Sequence, residues 1–210
     1  MRDIFIITGS FIAGLILAMT GIFPAGLDIS AISRYVLYLL MFLVGFNLGK
    51  DEKILRLIKR QPLSTLFLPL ATMMGTFSGA LVAYCTLRIL WRLAITTYIS
   101  LPDTLSVSAG FGYYSLSGIL INEARGAELG TVALASNMAR ELITIVFAPA
   151  MVRWFKNFAP ISSGGATTAD TTLPVIQRYS GSQYVPLSIL HGAVIDFSVP
   201  VYLTLFFSLM

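Results

Sequence analysis

The sequence "ASNMARELITIVF", residues 135–147, places an amide and two charged residues in an otherwise apolar stretch. It lies within a hydrophobic segment, residues 129–152, that is long enough to cross a bilayer. A central Arg or carboxylate in a membrane helix costs roughly 2.5–3.5 kcal/mol on insertion scales, so such charges usually face a bundle interior or a wet cavity. The stretch therefore predicts a membrane helix with one functional side.

Four more hydrophobic stretches have the length of a membrane span, at residues 4–23, 31–48, 63–87 and 185–210. Hydrophobic residues make up 56% of the 210-residue chain and charged residues 11%, whereas a soluble domain carries about 25% charged residues. We therefore expect an all-α polytopic protein in the lipid bilayer. It would form one integral membrane transport domain, residues 1–210, with about five spanning helices.

The basic segment "KDEKILRLIKR", residues 50–60, sets the predicted topology. It has five basic and two acidic residues, so the positive-inside rule places it in the cytoplasm. Two preceding spans then put the N-terminus in the cytoplasm. Arg153 and Lys156 follow the charged helix and would also be cytoplasmic if residues 101–121 form a re-entrant hairpin. A full crossing by residues 101–121 would put them outside instead.

Two segments carry too many helix-breaking residues for plain spanning helices, at residues 101–121 and 161–181. Irregular backbone at membrane depth is tolerated where protein covers it or where it lines a cavity, and broken helices often mark a transporter's binding site. The alternatives are a helix packed through small residues for the first segment and a flexible cytoplasmic loop for the second. The candidate break residues are Gly110, Gly112, Ser115, Ser117 and Gly118, then Gly164 and Gly165.

On the charged helix, Asn137, Arg140, Glu141 and Thr144 have the spacing i, i+3, i+4, i+7 and share one face. This face is predicted to contact protein or water while the other sides contact lipid. A carboxylate here can bind a cation or carry a proton. The alternative is a structural ion pair, with Asp196 or Asp170 as the counter-charge of Arg140.

The last span, "VPLSILHGAVIDFSVPVYLTLFF", adds His191 and Asp196. Five residues apart, they are separated by about 140° around a straight helix. We favour Asp196 as a site residue over His191, which can also be explained as a packed, hydrogen-bonded side chain. The sequence has no phosphate-binding loop and no His/Cys metal spacing, so we expect no enzyme activity, cofactor, metal or nucleic-acid binding. The candidate site residues are Glu141, Asn137, Arg140, Asp196, Asp170 and His191.

Four motifs resemble the C-terminal part of the bacterial lysine exporter family (LysO-type), and "LYLLMFLVGFNLG" resembles the span that precedes them. The similarity extends from about residue 35 to the C-terminus. In order, the motifs are "SAGFGYYSLSGILINEA", "NMARELITIVFAPAMVR", "GGATTADTTLPVIQR" and "VPLSILHGAVIDFSVPV".

The resemblance implies export of L-lysine, and of toxic analogues such as thialysine, across the bacterial inner membrane. It also implies that the family's essential intramembrane glutamate corresponds to Glu141. The family also has an essential acidic residue upstream, whose position in this chain stays open: Asp28 is conceivable, but its surroundings match no motif of the family. Typical members are longer and the family is sometimes split over two genes, so this chain resembles the larger component of a split exporter.

We expect proton-coupled lysine efflux in which Glu141 binds the proton and the substrate amine in turn, with the C-terminus outside. A sodium-coupled carrier of another small solute would instead use the glycine breaks as ion sites. A non-transporting subunit that stabilises a partner permease is the second alternative. The expected partners are lysine, protons and either a small second membrane subunit or further copies of the chain.

Overall fold

The computed structural model describes residues 62–94 and 99–209, together with separate positions between residues 12 and 59. Within the continuous part, side chains are described at residues 66–89 and 99–209. The chain divides into two compact units, Met1–Leu40 and Met41–Met210, and the second contains everything that follows. The predicted spans at residues 4–23 and 31–48, and Asp28, lie outside the continuously described part.

The part of the chain that the structure describes is helical and has no strand, which confirms the predicted all-α class. Two short 3₁₀ helices, Gly165–Ala169 and Ser182–Tyr184, interrupt the second half of the chain. The α-helices are α1 (Pro62–Ala94), α2 (Leu101–Ser108), α3 (Tyr114–Arg125), α4 (Ala127–Phe155), α5 (Ala159–Gly164), α6 (Leu173–Tyr179) and α7 (Val185–Phe207).

Three of the described segments are long and apolar enough to cross a bilayer, namely Leu66–Ile89, Ala127–Phe155 and Ser182–Phe207. They coincide with the predicted spans at residues 63–87, 129–152 and 185–210. Helix α4 has 29 residues, which gives a length of roughly 43 Å and exceeds the hydrocarbon thickness of about 30 Å.

Helices α2 and α3 form a hairpin, here called hairpin 1 (residues 101–125). The Asp103 carboxylate lies in the first turn of α2 and bonds to the guanidinium of Arg125, the last residue of α3, with Oδ1 2.9 Å from Nη2. Because this pair joins the beginning of one helix to the end of the next, the chain enters and leaves at the same end of the bundle. Of the two paths left open for residues 101–121, the structure has the hairpin rather than the full crossing.

A second hairpin, hairpin 2 (residues 159–184), follows α4. Its two ends meet where the Asn157 side-chain amide donates to the Tyr184 hydroxyl at 3.2 Å and the Phe158 ring packs edge-on against the Tyr184 ring. Above this base, Ile161, Ile176 and Leu187 form a buried cluster. The segment is a folded helical hairpin, so the flexible-loop alternative for residues 161–181 was wrong.

The two hairpins insert from opposite ends of α4. Only Gly126 separates Arg125 of hairpin 1 from the start of α4, and only Lys156 separates the end of α4 from Asn157 beside hairpin 2. Leu68, near the start of α1, packs on the base of hairpin 2, and α7 begins at this base. Because hairpin 2 follows the end of α4, both α1 and α7 run antiparallel to α4. The amino end of α1 and the carboxyl end of α4 therefore lie at the same end of the bundle.

Candidate functional site

The tips of the two hairpins touch near the middle of α4. The Ala166 amide of hairpin 2 donates to the Phe111 carbonyl of hairpin 1 at 3.0 Å. Glycine is needed on both sides of this contact. Gly112 has φ +99 and Gly165 has φ +62, and a methyl group on Gly165 would overlap the Phe111 carbonyl. The two predicted break segments therefore meet through their glycines.

Phe111 adopts a left-handed backbone conformation, φ 47, which is uncommon for a bulky residue. Its ring is fully buried and packs edge-on against Phe77 of α1 at 5.3 Å and against Tyr202 of α7 at 5.9 Å between centroids. Aromatic contacts from two spanning helices thus hold the strained tip in place. The sequence analysis did not single out Phe111.

Asn137 of α4 holds hairpin 1. Its side-chain oxygen accepts from the Gly112 amide at 2.7 Å, and its side-chain nitrogen donates to the Val107 carbonyl at 3.2 Å. Gly110 packs so closely that a methyl group there would overlap the Asn137 amide. Asn137 is buried as predicted, and its amide satisfies backbone groups that the break between α2 and α3 leaves unpaired.

Arg140, one turn further along α4, holds hairpin 2. Its Nε donates to the Ser163 carbonyl at 2.7 Å, Nη2 donates to the Ser162 carbonyl at 3.1 Å, and Nη1 donates to the Thr76 hydroxyl of α1 at 3.1 Å. Among the described residues no carboxylate forms an ion pair with Arg140. The alternative in which Asp196 or Asp170 is its counter-charge does not match this geometry.

His191 of α7 joins hairpin 2 to α1. Its Nδ1 lies 3.1 Å from the Thr168 hydroxyl and its Nε2 lies 3.0 Å from the Thr72 hydroxyl. The Thr168 hydroxyl also lies 2.7 and 3.0 Å from the Gly165 and Ser188 carbonyls. Each ring nitrogen of His191 thus has a hydroxyl partner, with the donor and acceptor roles set by the tautomer. This bonding explains His191 as a packed, hydrogen-bonded link between helices.

Three carboxylates lie at about the depth of the hairpin tips without a described ion pair. Glu141 is half-buried on α4 and forms no described hydrogen bond, and the same holds for Asp196 on α7. Asp170 is exposed just beyond the tip of hairpin 2, where it accepts from the Thr171 amide at 2.6 Å. Asp170 follows Ala169, which packs against Gly192, and Asp196 lies about one helical turn beyond Gly192 on α7.

The remaining predicted break residues have packing contacts. Ser117 is buried and donates to the Tyr113 carbonyl at 2.8 Å, while Ser115 is exposed on α3. Gly118 packs on α4, where a methyl group would contact Leu134 at an ordinary 3.7 Å. At Gly164 a methyl group would come within 2.6 Å of the Thr168 side chain. Of these four, Gly164 alone lies at the contact between the hairpin tips.

The model of the lysine exporter LysO family matches residues 8–207, nearly the whole chain. The chain belongs to this family. It is 34% identical over 177 residues to the lysine exporter LysO of Escherichia coli (strain K12), an alignment that covers 83% of this chain and 54% of the relative. It is 29% identical over 188 residues to a putative lysine exporter of Haemophilus influenzae, covering 89% of this chain and 87% of that protein.

As a member of the LysO family, this chain spans about half the length of the E. coli relative, whereas it spans most of the H. influenzae one. No solved structure matches it.

In this LysO family member, the structure adds candidate site residues that the sequence analysis missed. Each of them belongs to a hairpin tip or bonds to a residue that holds a tip in place. The regular i, i+4 spacing of Thr72 and Thr76 on α1 was the available signal, since it places two hydroxyls on one face of an apolar helix. The added residues are Thr72, Thr76, Phe111, Tyr113, Ser163 and Thr168.

Proposed function

We propose that this chain exports L-lysine, and toxic analogues such as thialysine, across the bacterial inner membrane in exchange for protons. One observation carries the proposal. Two re-entrant hairpins meet midway along a spanning helix, and the carboxylates at about the depth of their tips have no described ion pair. A substrate with two amines and one carboxylate needs negative partners at membrane depth, and Glu141, Asp170 and Asp196 supply them.

Proton exchange fits the charge of lysine. A membrane potential of 100 mV, negative inside, holds a unit positive charge inward by about 2.3 kcal/mol. When one proton enters for each lysine that leaves, no net charge moves and the voltage term cancels. We assign the shared position for proton and substrate amine to Glu141, and a second cation-binding position to the neighbouring Asp170 and Asp196.

The positive-inside rule gives the orientation. The basic segment at residues 50–60 directly precedes α1, and the start of α1 lies at the same end of the bundle as Arg153 and Lys156. We place this end in the cytoplasm, with the N-terminus inside, the C-terminus outside and hairpin 1 entered from outside. Single cysteines at Gly126 and Asn157 in a Cys85→Ala background test this orientation, which requires labelling from outside and from the cytoplasm respectively.

Counterflow of labelled lysine in proteoliposomes tests both the substrate and the sufficiency of the chain. We expect vesicles that contain this chain and are loaded with unlabelled lysine to accumulate labelled lysine transiently. The experiment is repeated with the product of any neighbouring small membrane-protein gene, because the aligned part of this chain covers only 54% of its E. coli relative. Absence of counterflow in both preparations would overturn the assignment, whereas counterflow only with the second protein would identify this chain as one component of a split exporter.

A further inference from the structure

Uncharged oxygen atoms of two other elements accept hydrogen bonds from the Arg140 guanidinium. Two backbone carbonyls at the end of a short broken helix, Ser162 and Ser163, and one hydroxyl, Thr76, surround its guanidinium at 2.7–3.1 Å. In secondary transporters with discontinuous helices, carbonyls at such helix ends coordinate sodium. Here a side chain of the protein occupies that position.

We propose that Arg140 is a built-in cation that replaces a dissociable sodium ion at hairpin 2. It is a positioning residue, which fixes the broken end of hairpin 2 to α4 and α1 and does not bind lysine. Only the expected effect on transport rests on the proposed function. The geometry of hairpin 2 can be measured without lysine.

The backbone around the break explains why a cation is needed. At the end of α5 the Gly165 amide bonds back to the Ile161 carbonyl, and the next amide, Ala166, crosses to Phe111 of hairpin 1. The Ala166 amide, which would bond to the Ser162 carbonyl if the helix continued, therefore leaves that carbonyl to another donor. A buried carbonyl without a donor is costly, and the planar guanidinium donates to this carbonyl and to that of Ser163 at once.

The third oxygen, the Thr76 hydroxyl, accepts a hydrogen bond from Arg140. This hydroxyl donates to the Thr72 carbonyl of the same helix at 2.8 Å, so a lone pair remains for the Nη1–H of Arg140. One guanidinium thus joins α4, α1 and hairpin 2 through three oxygens, none of which carries a formal charge. These partners do not neutralise the positive charge of Arg140, and Nε, Nη1 and Nη2 each donate a hydrogen bond to the protein.

Hairpin 2 has other attachments, so it stays folded when the guanidinium is removed. The Thr144 hydroxyl donates to the Arg140 carbonyl at 2.9 Å and accepts from the Ser163 hydroxyl at 2.7 Å. On the opposite side, Thr168 is bonded to His191. Arg140→Ala therefore opens a cavity at the broken end without detaching the hairpin.

Hydrogen exchange of the purified protein, read on the amides of residues 159–184, tests the inference. Because hydrogen bonds to charged groups contribute about 1.5–3 kcal/mol each, Arg140→Ala should raise exchange at the hairpin 2 tip by at least about tenfold. Guanidinium at millimolar, non-denaturing concentration should reverse most of this increase, and sodium part of it. Arg153→Ala, which removes an exposed charge from the end of the same helix, is the control and should change nothing.

Arg140→Lys keeps the charge but loses the planar fork, so it should give intermediate exchange, and it provides a readable result even if the Ala protein accumulates poorly. In transport, Arg140→Ala should lower the maximal rate of lysine export without changing the half-saturating lysine concentration, and wild-type export should be equal in sodium and choline media. Three results would each overturn the inference. They are hydrogen exchange in Arg140→Ala that does not respond to guanidinium, hydrogen exchange in Arg140→Lys that equals that of the wild type, and wild-type export that requires sodium. The hydrogen-exchange results still test the inference if the chain proves not to transport lysine.

Discussion

Glu141→Gln is expected to abolish lysine export while the protein still accumulates in the membrane. The amide keeps the size of the side chain but can neither ionise nor carry a proton. Because Glu141 is half-buried and forms no described hydrogen bond or ion pair, the change removes no contact that holds the bundle together. The measurement is lysine efflux, together with growth on thialysine, in a strain that lacks its own exporter.

Glu128→Gln is the matched control for this prediction. Glu128 lies on the same helix, in the first turn of α4, and is exposed. Its neutralisation should leave export near the wild-type rate at equal membrane levels. Export by Glu141→Gln at a rate close to that of Glu128→Gln would remove Glu141 from the coupling mechanism.

Gly165→Ala should reduce export at least tenfold, because the added methyl group overlaps the Phe111 carbonyl and separates the two hairpin tips. The backbone adds a second cost. Gly165 has φ +62, and a left-handed conformation costs an L-residue about 1–2 kcal/mol. The Ala166–Phe111 hydrogen bond cannot form without a shift of one tip, so the defect should appear in transport rate rather than in membrane insertion.

Gly126→Ala separates the steric effect from the backbone effect. Gly126 also has positive φ, at +90, but nothing lies within 4 Å of the position that a methyl group would take. This variant carries the same kind of conformational strain without the overlap, so it should retain most of its export activity. Equal loss in the two variants would mean that the contact between the tips has no role in transport.

The sequence predicted the helices and their breaks well, because both depend on local composition. Uninterrupted apolar stretches marked α1, α4 and α7, and glycines at positions 110, 112, 164 and 165 marked the places where a helix ends. For hairpin 1, charge favoured the hairpin path over a full crossing, since the positive-inside rule prefers both basic segments at one end of the bundle.

The partners of Arg140 could not be predicted in this way. An intramembrane Arg suggests a carboxylate partner, because sequence shows formal charges but not unpaired carbonyls at the end of a broken helix. The Ser162 carbonyl is left without its helical donor only because the chain turns at Gly165, more than twenty residues after Arg140. The same applies to Phe111, whose importance arises from contacts with α1 and α7 that are distant in the sequence.

The exchange of lysine for protons is tested most directly in proteoliposomes loaded with labelled lysine, in which the pH gradient and the membrane voltage are imposed separately. We predict that an acidic exterior accelerates lysine efflux, that a potassium and valinomycin voltage leaves the final lysine ratio unchanged, and that Glu141→Gln responds to neither. For a carrier that moves lysine alone, 100 mV would change that ratio about fifty-fold, since it contributes about 2.3 kcal/mol per charge. A ratio that follows the voltage and ignores the pH gradient would contradict lysine–proton exchange.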